Sequence, residues 1–303
     1  MNLFNKAIVT VIPVIPKPLV GFFSKRYIAG SRLADAVKEV KRLNSMGMCA
    51  TVDVLGEGIQ SIKEAREPVK QYLEVLDAID KENLDANISV KPTQLGLMLD
   101  YDRCVANYSE LLNSAKVKNN FVRIDMEDSS TTGATLKLYT QLRENYDNVG
   151  VVLQAYLRRS VDDIIELADK VNPLNFRICK GIYVEPHEIA WKDRDIIRRN
   201  FELMLEVAFE KGAYVGIATH DEHLVWAGLK VIQKMSIPKN RYEFQMLLGV
   251  LPDLRKIIVD MGHKLRVYVP FGEQWYPYSI RRLRENPQVA GHIFKAIFTP
   301  AVR

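Results

Sequence analysis

Eight short apolar segments, each separated from the next by a longer stretch with helical spacing, constrain this chain more than any other feature. Segments 50–55, 87–91, 121–125, 149–155, 176–180, 214–220, 243–247 and 265–269 have the length and composition of strands. Between them, 59–79, 101–114, 132–145, 161–169, 194–210, 222–234 and 251–261 carry apolar residues at helical intervals, and a further amphipathic helix is expected over 31–46. Parallel neighbours need a long crossover, and right-handed crossovers place their helices outside the sheet. Eight such units predict an α/β fold of the (β/α)8 TIM-type barrel class. The same alternation allows an open doubly wound sheet. The Gly-rich fingerprint expected after the first strand of such a sheet is missing, because Gly56-Glu57-Gly58 is too short.

No linker or shift in composition divides the 303 residues. The expected organisation is an N-terminal helical segment, residues 1–48, packing on the barrel, and a catalytic barrel, residues 49–303. The apolar stretch 7–23 carries Pro13, Pro16, Lys17 and Pro18, which suit neither a spanning helix nor a secretory apolar region. It reads as a docking segment, packed on the fold or resting on a membrane face. The 42 basic residues are balanced by 37 acidic ones, for a net charge of +5, which gives no footprint for nucleic acid. Cys49, Cys104 and Cys179 are few, odd in number and far apart. A disulfide framework is therefore not expected, and a cytoplasmic setting is, with the N-terminus leaving open a peripheral place on the inner face of the cytoplasmic membrane.

Parallel strands carry their chemistry at their C-terminal ends. Those ends hold Asp53, Lys91 with Thr93 and Gln94, Arg123 with Asp125 and Glu127, Gln154 with Tyr156, Arg177 with Lys180, Thr219-His220-Asp221, Gln245 and Tyr268. Any one of these also reads as a satisfied core polar group. Converging on one rim, they make a candidate site with both signs of charge, suited to a small zwitterion or an anionic cofactor. The spacing of His220 and His223 does not suit a metal pair on one helical face, and no metal is expected. There is no Gly-x-Ser-x-Gly elbow. Lys91 and Lys180 leave Schiff-base chemistry of the aldolase kind open, and a non-catalytic amino-acid sensor is a further alternative. Gly249 and Gly272 stand alone where a phosphate-binding barrel would have glycine-rich loops.

After the last strand runs Trp275-Tyr-Pro-Tyr-Ser-Ile-Arg-Arg-Leu-Arg-Glu285. On a helix, Tyr278, Arg281, Arg282 and Glu285 can face one ligand. Paired guanidiniums suit a carboxylate or phosphate. On charge alone the pair reads equally as a solvated helical face.

The blocks 89–97 (Ser-Val-Lys-Pro-Thr-Gln-Leu-Gly-Leu), 122–129 (Val-Arg-Ile-Asp-Met-Glu-Asp-Ser), 152–156 (Val-Leu-Gln-Ala-Tyr), 177–183 (Arg-Ile-Cys-Lys-Gly-Ile-Tyr), 218–221 (Ala-Thr-His-Asp), 243–245 (Glu-Phe-Gln), 268–270 (Tyr-Val-Pro) and 278–283 (Tyr-Ser-Ile-Arg-Arg-Leu) occur in this order over most of the chain. Together they resemble the proline dehydrogenase family, in its compact single-function bacterial form. These are flavoenzymes that oxidise L-proline to 1-pyrroline-5-carboxylate. The resemblance implies a distorted barrel with FAD across the strand ends, the last helix lying over the barrel mouth, and a membrane quinone as electron acceptor.

Carried over by position, it also implies that Lys91, Arg281 and Arg282 hold the substrate carboxylate. Asp125 would orient Lys91 or the arginines, and Tyr268, Tyr278 and Leu247 would wall the proline ring. The implied FAD contacts are Gln154, Arg177, Lys180, Gly181, Thr219, His220 and Glu285, with Gln154 and Arg177 at the isoalloxazine edge and Lys180 and His220 at the phosphates. Two residues depart from the pattern. Ile182 stands where alanine is expected and would narrow the cofactor or substrate space, and Cys179 stands where valine is usual.

Overall fold

In a computed structural model, which describes residues 21, 24, 26–56, 58–276 and 278–280, the eight apolar segments form a closed barrel. The strands are β1 (Cys49–Val54), β2 (Ala86–Val90), β3 (Val122–Ile124), β4 (Val149–Gln154), β5 (Asn175–Cys179), β6 (Tyr214–Ala218), β7 (Tyr242–Leu247) and β8 (Leu265–Phe271). Each pairs in parallel with the next, and β8 closes on β1. The helices are α1 (Leu33–Asn44), α2 (Arg66–Lys81), α3 (Tyr101–Val117), α4 (Ser129–Arg143), α5 (Ser160–Lys170), α6 (Arg194–Glu210), α7 (Glu222–Lys234) and α8 (Pro252–Asp260). The helix expected over 59–79 is split into a 3-10 turn, Ile62–Ala65, followed by α2. Pro68 lies in the first turn of α2, where a backbone N–H would have no intrahelical partner.

Successive side chains of a strand point to opposite faces, and here the two faces differ sharply in polarity. Ala50, Val52, Ile88, Val90, Val122, Ile124, Val151, Leu153, Phe176, Ile178, Val215, Ile217, Phe244, Val267 and Val269 are buried in one core, shared with the apolar stripes of the helices. The alternating residues Thr51, Asp53, Ser89, Asp125, Arg177, Gln245, Arg266 and Tyr268 point into the lumen. Several of them bond across strands that are not neighbours, which only lumen-facing groups can reach. The hydrophobic core thus lies between sheet and helices, while the barrel interior is a hydrogen-bonded polar network.

α1, which precedes the first strand, packs against both β1 and β8. That is the outer-layer slot an eighth crossover helix would fill. The chain after β8 is therefore directed elsewhere. Trp275, Tyr276, Tyr278, Ser279 and Ile280 are helical. Tyr278 packs with Tyr27, Ile28 and Leu55, with Val250 and Trp275 beside them. Leu55 and Val250 follow the C-terminal ends of β1 and β7, so this helix begins on the barrel mouth. Residues 27–30 run along the same rim, tied down by Ala29 N donating to Pro270 O at 3.0 Å and Gly272 N to Gly30 O at 3.0 Å.

Candidate active site

The lowest lumen layer is a buried ion pair. Arg266 Nε and Nη2 donate to the two oxygens of Glu243 at 2.7 and 3.1 Å, and Gln245 Nε2 donates to the same carboxylate at 2.7 Å. Burial opposes the charge on Glu243, but Arg266 outweighs it and holds the carboxyl at about 2. Arg123 donates to Val151 O of β4 at 3.0 Å and reaches past that strand to Asn175 O of β5 at 3.2 Å. It passes through the space above Gly150, where a Cβ would lie 2.3 Å from its Nη1. Arg123 and Gln245, expected on the rim, are thus a layer below it.

Above this floor Asp125 is the hub. Its Oδ1 accepts from Ser89 Oγ and from Arg177 Nη2, both at 2.5 Å, and its Oδ2 accepts from Tyr268 OH at 2.9 Å. The arginine also lies over the Tyr268 ring, 5.5 Å from its centroid. Burial opposes ionisation of Asp125, yet Arg177 and Lys91 hold its carboxyl below the ordinary range. The same pairing keeps Arg177 charged against its own burial.

Lys91 follows the last residue of β2. Pro92 holds the residue before it in extended backbone, φ −82° and ψ 126°, so Lys91 stays on the lumen face shared with Ser89. Its partner differs from the one expected. Asp53, 1 % exposed, accepts from Lys91 Nζ at 2.7 Å, whereas Asp125 is occupied by Ser89, Arg177 and Tyr268. Direct orientation of Lys91 therefore falls to Asp53, because the lysine, just past the end of β2, reaches back to the neighbouring strand β1 while Asp125 is drawn towards β5 and β8. Although burial opposes it, Asp53 and Asp125 raise the pKa of Lys91, so the side chain is an ammonium. Burial, with Asp125 adding to it, pushes the Asp53 carboxyl up, and Lys91 counters both.

At the ends of β5 and β6 one carboxylate meets three cations. Asp221 accepts from Lys180 at 3.1 Å, from Arg198 at 2.9 and 3.0 Å, and from Arg194 at 3.5 Å. Lys180 is thus an ion-paired amine. Gly181 follows with φ +97°, and the Tyr156 ring lies 2.1 Å from where a Cβ would be. Gln154 Nε2 donates to Glu127 O at 3.2 Å, which leaves its buried Oε1 without a partner among the described residues. Thr219 Oγ1 accepts from Asp221 N at 3.0 Å. His220 Nε2 accepts from Leu247 N at 2.8 Å, so the proton of the neutral ring is on Nδ1.

The structure therefore brings Lys91, Asp125, Gln154, Arg177, Lys180, Gly181, Thr219, His220, Leu247 and Tyr268 to one mouth. Tyr278 is there too, buried between that mouth and Tyr27 and Ile28. Arg281, Arg282 and Glu285 lie outside the described residues. Ile182 is 49 % exposed, and the Cys179 thiol donates to Leu153 O at 3.8 Å. Sequence reasoning missed Ser89, Arg266 and Tyr72. The first two carried a readable signal, a polar residue at every second position of an otherwise apolar strand. Tyr72 carried none, since it falls on the apolar stripe of α2 with Val69, Leu76 and Ile79. Among the described residues no cluster of His, Cys, Asp and Glu is arranged to hold a metal ion.

Comparison with known proteins identifies the family and the fold. The family described as proline dehydrogenase matches residues 36–294. Proline dehydrogenase 1 of Bacillus subtilis (strain 168) is 36 % identical over 274 residues, covering 90 % of each chain. The proline dehydrogenase of Deinococcus radiodurans is 30 % identical over 306 residues, covering 98 % of each. Among solved structures, the proline utilization A protein of Bdellovibrio bacteriovorus inactivated by N-propargylglycine superposes with a TM-score of 0.83 at 25 % identity. That match covers 98 % of this chain and 37 % of the longer protein.

Proposed function

The chain belongs to the proline dehydrogenase family, and from that premise we propose that it oxidises L-proline to 1-pyrroline-5-carboxylate with FAD and passes the electrons to a membrane quinone. The observation that carries this reading is the pairing of Lys91 with Asp53 next to the Asp125, Arg177 and Tyr268 network, all at the barrel mouth.

Two features suit a flavin dinucleotide. The buried Gln154 Oε1 has an open acceptor position that fits an N–H of the isoalloxazine edge. Lys180, Arg194 and Arg198 outnumber their partners Asp221 and Asp195, and the surplus positive charge suits a pyrophosphate. In this reading Gln154 and Arg177 hold the ring edge, Lys180 and His220 the phosphates, and Gly181, Thr219 and Glu285 complete the cofactor contacts. When bound, FAD supplies the two-electron acceptor.

The protein's own groups bind and orient. Lys91, with Arg281 and Arg282, takes the substrate carboxylate. Leu247, Tyr268 and Tyr278 wall the ring, so that the carbon beside the nitrogen loses hydride as the nitrogen lone pair forms C=N. Asp125 has both oxygens engaged and serves to fix Arg177 and Tyr268 in place of acting as a base. The substrate amine must therefore reach the site neutral, and the rate rises with pH until the bound amine is deprotonated. Positioning supplies most of the acceleration.

The aldolase-type alternative loses support at both lysines. A Schiff-base lysine needs a free amine. Lys91 is held as an ammonium between two carboxylates, and Lys180 is ion-paired to Asp221.

The proposed setting is the cytoplasm, with segment 1–48 as a unit against the barrel. Its proline-broken start is either a cap on the fold or the contact with the membrane that holds the quinone. No described helix is long and apolar enough to cross a membrane.

Purified protein tests the reading directly. A yellow preparation whose flavin absorbance bleaches on adding L-proline is the expected result. A colourless protein that FAD cannot reconstitute would overturn it.

A further inference from the structure

β1 and β2 separate at the height of the Lys91–Asp53 pair. Their register runs from Ala50↔Ala86 to Val52↔Ile88 and stops there. Low in the ladder, Ala50 N donates to Asp85 O at 2.9 Å. Counting on by twos, the bond that would join the strands at the rim is Val54 N to Ser89 O. A phenol occupies that place. Tyr72, fully buried on α2, accepts from Val54 N at 3.2 Å and donates to Ser89 O at 2.8 Å, and its oxygen lies 3.3 Å from Asp53 Oδ1. One direct ladder bond is thus replaced by a two-bond relay, which sets β1 and β2 apart by the width of a hydroxyl.

The other side of β2 shows what the insertion changes. There Asp125 N donates directly to Val90 O at 2.9 Å, and Tyr108 OH adds a second bond to the same oxygen at 2.8 Å without displacing the first. Only the β1 side is wedged open, and that is the side on which Asp53 and Lys91 face each other.

We infer that Tyr72 is a positioning residue for Lys91, acting through Asp53 and through the gap its hydroxyl maintains between β1 and β2. Without the hydroxyl, Val54 N and Ser89 O either close onto each other or remain unpaired. Both outcomes shift Asp53 and the strand end that presents Lys91. The inference rests on the reading that Lys91 holds the substrate carboxylate.

The test is a double-mutant cycle on the FAD-loaded protein, read as the affinity for cyclopentanecarboxylate, which has the ring and carboxylate of proline but no nitrogen to oxidise. Tyr72→Phe keeps the ring and removes only the hydroxyl. It is expected to weaken binding roughly tenfold, within the range that coupled neighbours show. In a Lys91→Met background the same change is expected to cost about twofold or less, because the group it positions is gone. A general loosening of the fold would weaken both backgrounds equally, so additivity overturns the inference, as does wild-type affinity in Tyr72→Phe. If Tyr72→Phe fails to fold, Tyr72→His takes its place in the cycle, a shorter polar ring that cannot reach both Val54 N and Ser89 O. Non-additivity with Lys91→Met is then the required result, and additivity the refuting one. A Lys91→Met protein that binds the probe as well as wild type removes the carboxylate reading and the inference with it. A normal loss in Lys91→Met with an additive Tyr72→Phe removes the inference alone.

Discussion

Two carboxylates of the same type, at the ends of β1 and β3 with β2 between them, carry different tasks because their neighbours differ. Asp125 meets an arginine, a tyrosine and a serine, which keep it ionised and leave no oxygen free. Asp53 meets Lys91 and fixes where that ammonium points. Lys91→Met should therefore act on binding. The Michaelis constant for proline is expected to rise about thirty- to several-thousand-fold, the range for losing one side of a buried charge pair, with a smaller change in kcat. Arg281→Met and Arg282→Met should do the same if they complete the clamp, and wild-type affinity in both would remove them from it. Asp125→Asn should act differently. It leaves the buried Arg177 without its counter-charge, so kcat should fall together with retention of the flavin, measured by absorbance after gel filtration.

Among elements, the exchange between α1 and the chain after β8 decides the architecture of the mouth. Because α1 covers β1 and β8 from outside, the last helix is free to start on the rim, where Tyr278 joins Leu55 and Tyr27. β3 and β4 depend on a second device. Gly150 leaves the room through which Arg123 crosses to Asn175, and an added Cβ would also meet Asn175 O at 2.7 Å. Gly150→Ala is expected to destabilise the protein by about 1–3 kcal/mol through overpacking. Urea unfolding checks this, with a lowered midpoint and an unchanged slope as the expected result. Asp221 ties α6 to the end of β6 in the same way, through Arg194 and Arg198.

At the scale of the whole molecule, a polar lumen inside an apolar shell makes stability depend on charge. The folded-state pKa of Glu243 is depressed from 4.5 to about 2 by Arg266. A depressed carboxyl contributes stability that is complete above its unfolded value and is lost as the pH falls through its folded one. The contribution of this pair, roughly 3 kcal/mol by linkage, should therefore vanish between about pH 4.5 and 2. Asp125, also depressed, adds loss in the same direction. Acid titration followed by circular dichroism should show Glu243→Gln less stable than wild type at neutral pH, with a shallower acid transition. A curve parallel to that of wild type would refute the assignment.

The eight strands and their order were legible in the chain because strand and helix differ in hydrophobic period, a property of local sequence alone. The polar strand ends are legible for the same reason, and Lys91, Asp125, Arg177 and Tyr268 stand out in the sequence itself. Pairings are not. Period and composition say that Asp53 and Asp125 face inward, but which of them meets Lys91 depends on strand register and on Arg177 and Tyr268 reaching across the lumen. Tyr72 shows the limit most clearly: along the chain it is one more apolar residue on α2, and only the parting of two strands gives its hydroxyl a place. A lumen is a surface made by all eight strands at once, so its chemistry is written in distances that no single segment contains.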